Sequence, residues 1–145
     1  MGALVSKEHL EKIQYYVELA KEEGGKIVLG GDRPNLDGEL KNGYYHNPTI
    51  IVGLSPSCRV QQEEIFGPVV TVTPFESEEE VIEWANCVKY GLSATVWTEN
   101  LRKAHRVAQE LKAGTVWINT WMKVNPKTPN ASCLDLGFRL MVFIT

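Results

Sequence analysis

Several residue types and sequence patterns are scarce or missing in this chain of 145 residues. It has only three cysteines, which are far apart and odd in number, so a disulfide framework is not expected. No apolar run approaches the roughly 20 residues that span a bilayer, and no basic-then-apolar start marks a secretory signal. The formal net charge is only −3, with both signs interspersed, which does not favour nucleic acid or a membrane surface as a partner. The composition therefore predicts a cytoplasmic globular protein.

Patterns for metal and phosphate binding are also missing. The histidines are scattered, no Cys/His cluster has the spacing of metal ligands, and no GxGxxG loop occurs. Cys58 lies in a loop with one basic neighbour, and Cys87 lies inside a predicted helix. Neither has the polar surroundings that lower a thiol pKa and activate a nucleophile. We therefore predict no metal site and no catalytic residue in this chain.

The chain does contain a regular alternation of strands and helices in its middle part. Apolar runs predict three strands, over residues 69–75, 94–97 and 115–118. A capping box beginning at Ser77 and a cap at Thr98 or Asn100 predict a helix in each interval, the first ending near residues 90–91. Strand, helix, strand, helix, strand implies two right-handed βαβ crossovers and a parallel sheet, so the predicted fold class is α/β.

The two ends of the chain differ in character. Near the start, Ser6 caps a predicted helix over residues 7–23 that Gly24 and Gly25 end, and short strands are predicted at residues 26–29 and 49–52. After Trp121 the periodicity is lost. We therefore predict a domain of residues 1–122 and a divergent tail, residues 123–145, that is not native to that fold.

The segment from Gln62 to Val69 is the most informative one. An acidic pair, an aromatic residue and a Gly-Pro turn lead directly into the strand that begins at Val69. On spacing alone, the favoured interpretation is that Glu63 and Glu64 form a solvated charge pair and that Phe66 is a core residue. A longer pattern reverses that preference.

Residues 1–122 resemble the C-terminal part of the catalytic domain of the NAD(P)-dependent aldehyde dehydrogenases. The segments that carry the resemblance are residues 1–6, 43–45, 47–49, 63–68, 90–98 and 114–119. Residues 77–82 and 119–121 are most similar to the branch that oxidises 2-aminomuconic and 2-hydroxymuconic semialdehydes. The predicted domain is thus a partial aldehyde dehydrogenase catalytic domain.

The resemblance implies an activity and a set of site residues. Members oxidise an aldehyde to a carboxylic acid with NAD or NADP, so the implied ligands are a small aldehyde and a nicotinamide cofactor. It assigns Glu64 to the ribose diol of the cofactor and Phe66 to its nicotinamide side. It places Asn119 and Trp121 at the entrance for substrate, although a strand end and a packed indole are equally compatible with these two residues.

The same resemblance shows what the segment lacks. In the family, the nucleophilic cysteine, the water-activating glutamate and the nucleotide-binding half precede this segment. Family members are homo-oligomers, and the strand that pairs their subunits is replaced here by the divergent tail. We therefore expect the isolated chain to be inactive and to bind the cofactor weakly if at all. The alternatives are a non-catalytic, partner-binding fragment and a mis-spliced or partial gene product.

Overall fold

A computed structural model describes residues 1–123, 127 and 142–144 of the chain. They belong to two compact units, Met1–Pro74 and Phe75–Thr145. The first unit contains α1 (Lys7–Glu22), β1 (Lys26–Leu29), a 3₁₀ helix (Gly38–Asn42), β2 (Thr49–Val52), α2 (Arg59–Gln62) and β3 (Val69–Val72). The second contains α3 (Glu78–Asn86), β4 (Ser93–Trp97), α4 (Leu101–Glu110), β5 (Thr115–Ile118) and β6 (Val142–Ile144). The α/β class predicted from the sequence is confirmed.

Helix α1 has the caps and the buried face that its sequence predicts. Ser6 accepts a hydrogen bond from the backbone N–H of His9 at 3.2 Å. At the other end, Gly24 has a φ of +88°, and the N–H of Gly25 donates to the carbonyl of Ala20 at 2.7 Å. This is a Schellman ending, which favours glycine at the left-handed position. The apolar face of the helix is buried at Leu10, Ile13, Tyr16, Val17 and Ala20.

The first unit has a mixed sheet in the order β1-β2-β3. Strand β1 is antiparallel to β2, whereas β3 is parallel to β2 and aligned with it from Thr49↔Val69 to Val52↔Val72. The sequence predicts a crossover from β3 to β4 within one parallel sheet, whereas β3 and β4 belong to separate sheets in the structure. The crossover into β3 instead passes through α2, whose four residues are too few to show a helical period.

The second unit has a parallel sheet in the order β5-β4-β6. The predicted crossover from β4 through α4 to β5 is confirmed. Strand β4 is buried at four of its five positions, as expected for the central strand of a parallel sheet. The core consists of Val81, Ala94, Val96, Val107 and Leu111.

Both helices of this unit begin at predicted caps. Ser77 accepts from the N–H of Glu80 at 3.1 Å, while the Glu80 carboxylate accepts from the N–H of Glu76 at 2.7 Å. Asn100, one of the two predicted caps, accepts from the N–H of Lys103 at 3.0 Å. Helix α3 ends at Asn86, earlier than the predicted 90–91, and the Asn86 side chain bonds the backbone of Glu110 and Lys112.

The predicted tail, residues 123–145, lies largely outside the described residues, and so does Cys133. Its division from residues 1–122 therefore stays a prediction. In the part of the chain that the structure describes, no helix is both long and apolar enough to cross a membrane.

Candidate functional site

The predicted cofactor motif forms a short loop, residues 63–68, between α2 and β3. Arg59 and Tyr16 both donate to the carboxylate of its first residue, Glu63. Arg59 donates to it twice, from Nε at 2.8 Å and from Nη2 at 3.1 Å. The hydroxyl of Tyr16 donates to Oε2 at 2.6 Å. Glu63 therefore ties the 63–68 loop to α1 and α2, while 36% of its side chain stays exposed.

Helix α2 is itself anchored at its start by the end of α1. The carboxylate of Glu23 accepts from the backbone N–H of Arg59 at 3.0 Å and of Val60 at 3.2 Å. These are two of the N–H groups that a helix leaves without intrahelical partners. A carboxylate at this position also complements the positive end of the helix dipole.

Two further side chains of α1 hold the backbone of the 63–68 loop. Lys12 donates from Nζ to the carbonyl of Glu64 at 2.9 Å. His9 donates from Nε2 to the carbonyl of Phe66 at 2.6 Å. The ring of His9 also meets the Phe66 ring edge-on, with centroids 6.0 Å apart. The carbonyl groups on both sides of residue 65 are thus fixed by one helix.

The end of the loop rests directly on the same helix. A Cβ atom at Gly67 would lie 2.4 Å from Cδ1 of Ile13, which is fully buried. The carbonyl of Pro68 accepts from the N–H of Thr49 at 2.8 Å, which joins the loop to β2. The α1 residues that contact the loop are His9, Lys12, Ile13 and Tyr16, and their spacings of three and four place them on one face.

Phe66 is held in an unusual conformation. Its φ is +57°, in the left-handed region, and 69% of its surface is exposed. For a residue with a side chain this conformation costs about 1–2 kcal/mol. Such strained residues cluster at ligand sites. The alternative that Phe66 belongs to the core is therefore wrong, and an exposed ring on a fixed backbone is what a ligand-contacting residue requires.

Glu64 and Phe66 are brought together by this loop. Glu64 is half-buried, and its backbone is fixed through Lys12. A carboxylate and an aromatic ring two positions apart supply an acceptor for a diol and a face for a planar ring. This chemistry fits the ribose and nicotinamide of the cofactor, and the role of the two residues stays a prediction.

The other two predicted site residues lie in the second unit, just after β5. The side chain of Asn119 accepts from the N–H of Thr98 at 2.9 Å and donates to its carbonyl at 2.9 Å. The backbone N–H of Asn119 donates to Val96 at 2.8 Å, and its φ is +51°. Asn119 therefore fastens the end of β5 to the end of β4. The sequence is compatible with either a strand-end role or a substrate-entrance role for Asn119, and these contacts correspond to the strand-end role.

Trp121 lies next to a second indole. The ring centroids of Trp117 and Trp121 are 6.1 Å apart, and the angle between the ring planes is 38°. Trp117 donates from its ring N–H to the carbonyl of Lys123 at 3.0 Å. Trp121 is 37% exposed and lies three residues after the end of β5. Its placement at a substrate entrance stays a prediction.

The two described cysteines do not have the setting of a nucleophile. Burial raises the pKa of the Cys58 thiol, and the neighbouring Glu23 carboxylate adds to this rise. Cys87 lies just after α3, where its thiol donates to the carbonyl of Trp84 at 3.0 Å. In the described residues, no group of three or more His, Cys, Asp or Glu side chains is arranged to hold a metal ion.

Sequence reasoning missed the residues that support the loop. The sequence shows His9 as one of three scattered histidines and gives no partner for Lys12 or Tyr16. A signal was available, because all three share a helix face with the apolar Ile13. A hydrophobic pattern alone cannot show which partner such a face meets.

Comparison with known proteins identifies relatives along most of the chain. The model of the aldehyde dehydrogenase family matches residues 1–131. The chain is 49% identical to 2-aminomuconic 6-semialdehyde dehydrogenase of a Pseudomonas species, with 89% of this chain and 26% of that protein covered. It is 48% identical to 2-hydroxymuconic semialdehyde dehydrogenase of Pseudomonas sp. strain CF600, with 83% of this chain and 25% of that protein covered.

A solved structure agrees with these matches. The NAD⁺ complex of an aldehyde dehydrogenase from Bacillus cereus aligns with a TM-score of 0.83 at 47% identity, covering 90% of this chain and 26% of that one. The chain thus spans about a quarter of the length of the relatives it matches.

Proposed function

The chain belongs to the aldehyde dehydrogenase family, and on that premise we propose that its first unit supplies the ribose–nicotinamide part of a cofactor site. The complete site would oxidise an aldehyde, of the 2-aminomuconic or 2-hydroxymuconic semialdehyde class, to a carboxylic acid. The observation that carries this proposal is the 63–68 loop, in which Glu63 is engaged by Arg59 and Tyr16 while Phe66 is exposed on a strained backbone.

The residues of the loop would divide the work of binding. The Glu64 carboxylate accepts two hydrogen bonds from the ribose diol and so orients the sugar. The Phe66 ring packs on the nicotinamide side and limits its rotation. When bound, NAD or NADP accepts a hydride from the substrate. The contribution of this chain is therefore orientation, which lowers the barrier by fixing the reacting groups near one another.

A substitution in an intact enzyme tests this role. Residues 1–122 of this chain replace the corresponding segment of a full-length muconic semialdehyde dehydrogenase, and Glu64→Gln is introduced. Losing a charge-assisted hydrogen bond, at about 1.5–3 kcal/mol, should weaken NAD⁺ binding about 10- to 150-fold. The aldehyde KM and the melting temperature should change little.

The matched control is Glu22→Gln, which removes the same charge from an exposed position on α1. It should leave NAD⁺ affinity unchanged. Equal NAD⁺ affinity in the Glu64→Gln and parent enzymes would remove Glu64 from the site. A shifted melting temperature with unchanged NAD⁺ affinity would assign it a structural role.

We further propose that the chain of 145 residues does not oxidise aldehydes by itself. Its described cysteines lack nucleophile settings, since the pKa of Cys58 is raised by burial and Cys87 donates its thiol to a helix carbonyl. Incubation of the purified chain with NAD⁺ and a muconic semialdehyde should produce no NADH absorbance. Turnover that Cys58→Ala or Cys87→Ala abolishes would contradict this.

The proposed location remains the cytoplasm.

A second candidate function, a non-catalytic fragment that binds a longer dehydrogenase chain, is favoured by one observation. Val70 and Val72 lie on one face of β3, each about half exposed, and are aligned with Ile50 and Val52 of β2. Sheet faces of this kind are normally covered in parallel α/β folds. The partner would be a full-length subunit, about three-quarters of which this chain does not represent.

Co-purification with a tagged full-length dehydrogenase tests the second candidate. Val70→Lys should abolish the association, because it places a charge in an apolar interface. Val5→Lys, at an exposed position outside the sheet, is the matched control. Association that both variants retain would argue against this face as the binding surface.

A further inference from the structure

We propose that His9 and Lys12 are positioning residues for the cofactor-contacting side chains of Glu64 and Phe66. This inference rests on the proposed function of the 63–68 loop and deepens it. Neither residue is assigned here to contact the substrate or the cofactor. Both act through the loop backbone, by hydrogen bonds from α1 to the carbonyls of residues 64 and 66.

A peptide group is planar, so fixing the direction of a carbonyl fixes the ψ angle of its own residue. Lys12 fixes the Glu64 carbonyl at 2.9 Å and His9 fixes the Phe66 carbonyl at 2.6 Å. The two bonds bracket residue 65 and so define how the Glu64 and Phe66 side chains leave the loop.

A φ of +57° is unfavourable for phenylalanine and relaxes unless the surroundings oppose it. The ring of Phe66 is largely exposed and makes an edge contact with His9. The hydrogen bond from His9 to the Phe66 carbonyl restrains the ψ angle of this left-handed residue and so opposes its relaxation. It requires a proton on Nε2 of His9, because a carbonyl can only accept.

Helix α1 is capped at both ends, and Ile13 and Tyr16 on the same face are buried. Lys12 also lies over the Tyr16 ring, with Nζ 5.9 Å from its centroid, which limits its freedom. The helix can therefore impose its own geometry on the loop.

Amide hydrogen exchange on the 145-residue chain, without any cofactor, tests the inference. The reporters are the N–H groups of Val69 and Thr49, which donate to the carbonyls of Gly67 and Pro68 at the end of the loop. His9→Ala keeps the backbone N–H that bonds the Ser6 cap, so α1 retains its start. We expect His9→Ala and Lys12→Met each to speed exchange at the reporters about five- to tenfold.

Conservative variants and one control separate positioning from general stability. His9→Gln and Lys12→Arg retain a donor of similar reach and should restore slow exchange. His105→Ala, an exposed histidine on α4, should have no effect. The N–H of Asn119, which donates to Val96 in the other unit, should exchange at the same rate in every variant.

Loop-specific acceleration that the conservative variants reverse supports the inference. Unchanged reporter exchange in His9→Ala and Lys12→Met would overturn it, as would acceleration that His9→Gln and Lys12→Arg fail to reverse. The cofactor is absent from this experiment. Its failure is therefore distinguishable from failure of the proposed function, which the NAD⁺ affinity of the Glu64→Gln enzyme decides.

Discussion

The hydroxyl of Tyr16 and the carboxylate of Glu63 lie 47 positions apart in the sequence and meet at 2.6 Å. Arg59 donates to both oxygens of the same carboxylate. Burial raises the pKa of Tyr16 to about 12, and the hydrogen bond to Glu63 adds to the effect. One buried phenol therefore joins the first helix of the chain to the loop that carries Glu64 and Phe66.

The raised pKa of Tyr16 predicts how stability depends on pH. Its folded value, about 12, lies above the ordinary value of 10.0. The stabilisation is therefore fully present below pH 10 and is lost as pH rises towards 12. Tyr16→Phe should lower the free energy of unfolding at neutral pH by about 1–3 kcal/mol. Urea denaturation between neutral and alkaline pH measures the free energy of unfolding of the parent chain and of Tyr16→Phe. The gap between these two free energies should narrow above pH 10. A gap that stays constant there would contradict the assignment.

The carboxylate of Glu23 predicts the behaviour in acid. Burial raises its pKa, but hydrogen bonds from the N–H groups of Val60 and Arg59 outweigh burial and hold the pKa below 4.5. Its contribution is therefore present above pH 4.5 and is lost as pH falls through the lowered value. Glu23→Gln should lower the free energy of unfolding at neutral pH by about 0.5–2 kcal/mol. The fall of that free energy in acid should be smaller in this variant than in the parent chain. Glu22→Gln, at the exposed neighbouring position, should leave the pH dependence unchanged when chemical denaturation is followed at both pH values.

The contact between Gly67 and Ile13 predicts a steric penalty. Gly67→Ala would place a methyl group 2.4 Å from Cδ1 of Ile13 and should destabilise the first unit by about 1–3 kcal/mol. Ile13→Val removes that Cδ1 atom and should relieve part of the cost in the double variant. Gly2→Ala, where the added atom meets nothing within 4 Å, is the control. Additive effects in the double-mutant cycle would show that the two residues do not touch.

Asn119 allows strain and hydrogen bonding to be measured separately. Asn119→Gly keeps a backbone that adopts φ +51° readily but loses both bonds to Thr98. Asn119→Ala loses the bonds and is also strained, so it should be less stable than Asn119→Gly by about 1 kcal/mol. Both should be less stable than the parent chain by about 1–3 kcal/mol in chemical denaturation. Parent-like stability of Asn119→Ala would show that the Asn119 side chain does not fasten the ends of β4 and β5.

Local sequence signals identified most elements of this fold. The caps at Ser6, Ser77 and Asn100 could be predicted because each places a hydrogen-bond acceptor at the start of an amphipathic run. The pairing of β3 with β2 was not readable, since strand partners depend on contacts between distant positions. Helix α2 was missed because one turn has no periodicity.

The candidate site shows the same division. The motif at residues 63–68 could be found from its order of residue types, and the resemblance gave Glu64 and Phe66 their proposed roles. The contacts of the Glu63 carboxylate with Tyr16 and Arg59 could not be predicted, because Tyr16 lies 47 positions away in the sequence. Likewise, nothing in the sequence around Asn119 shows that both ends of its amide meet the backbone of Thr98.

Because α1 contacts the 63–68 loop through one face, a change in the length of this helix should disrupt the contact more than most substitutions would. Its four contacting residues hold their places by helical phase, and one inserted residue turns everything beyond it by about 100°. An insertion between His9 and Tyr16 would leave every side chain present and yet direct Tyr16 away from Glu63. By contrast, the 3₁₀ helix Gly38–Asn42 has no buried residue. Natural or engineered length changes should therefore be tolerated there and rejected within residues 9–16.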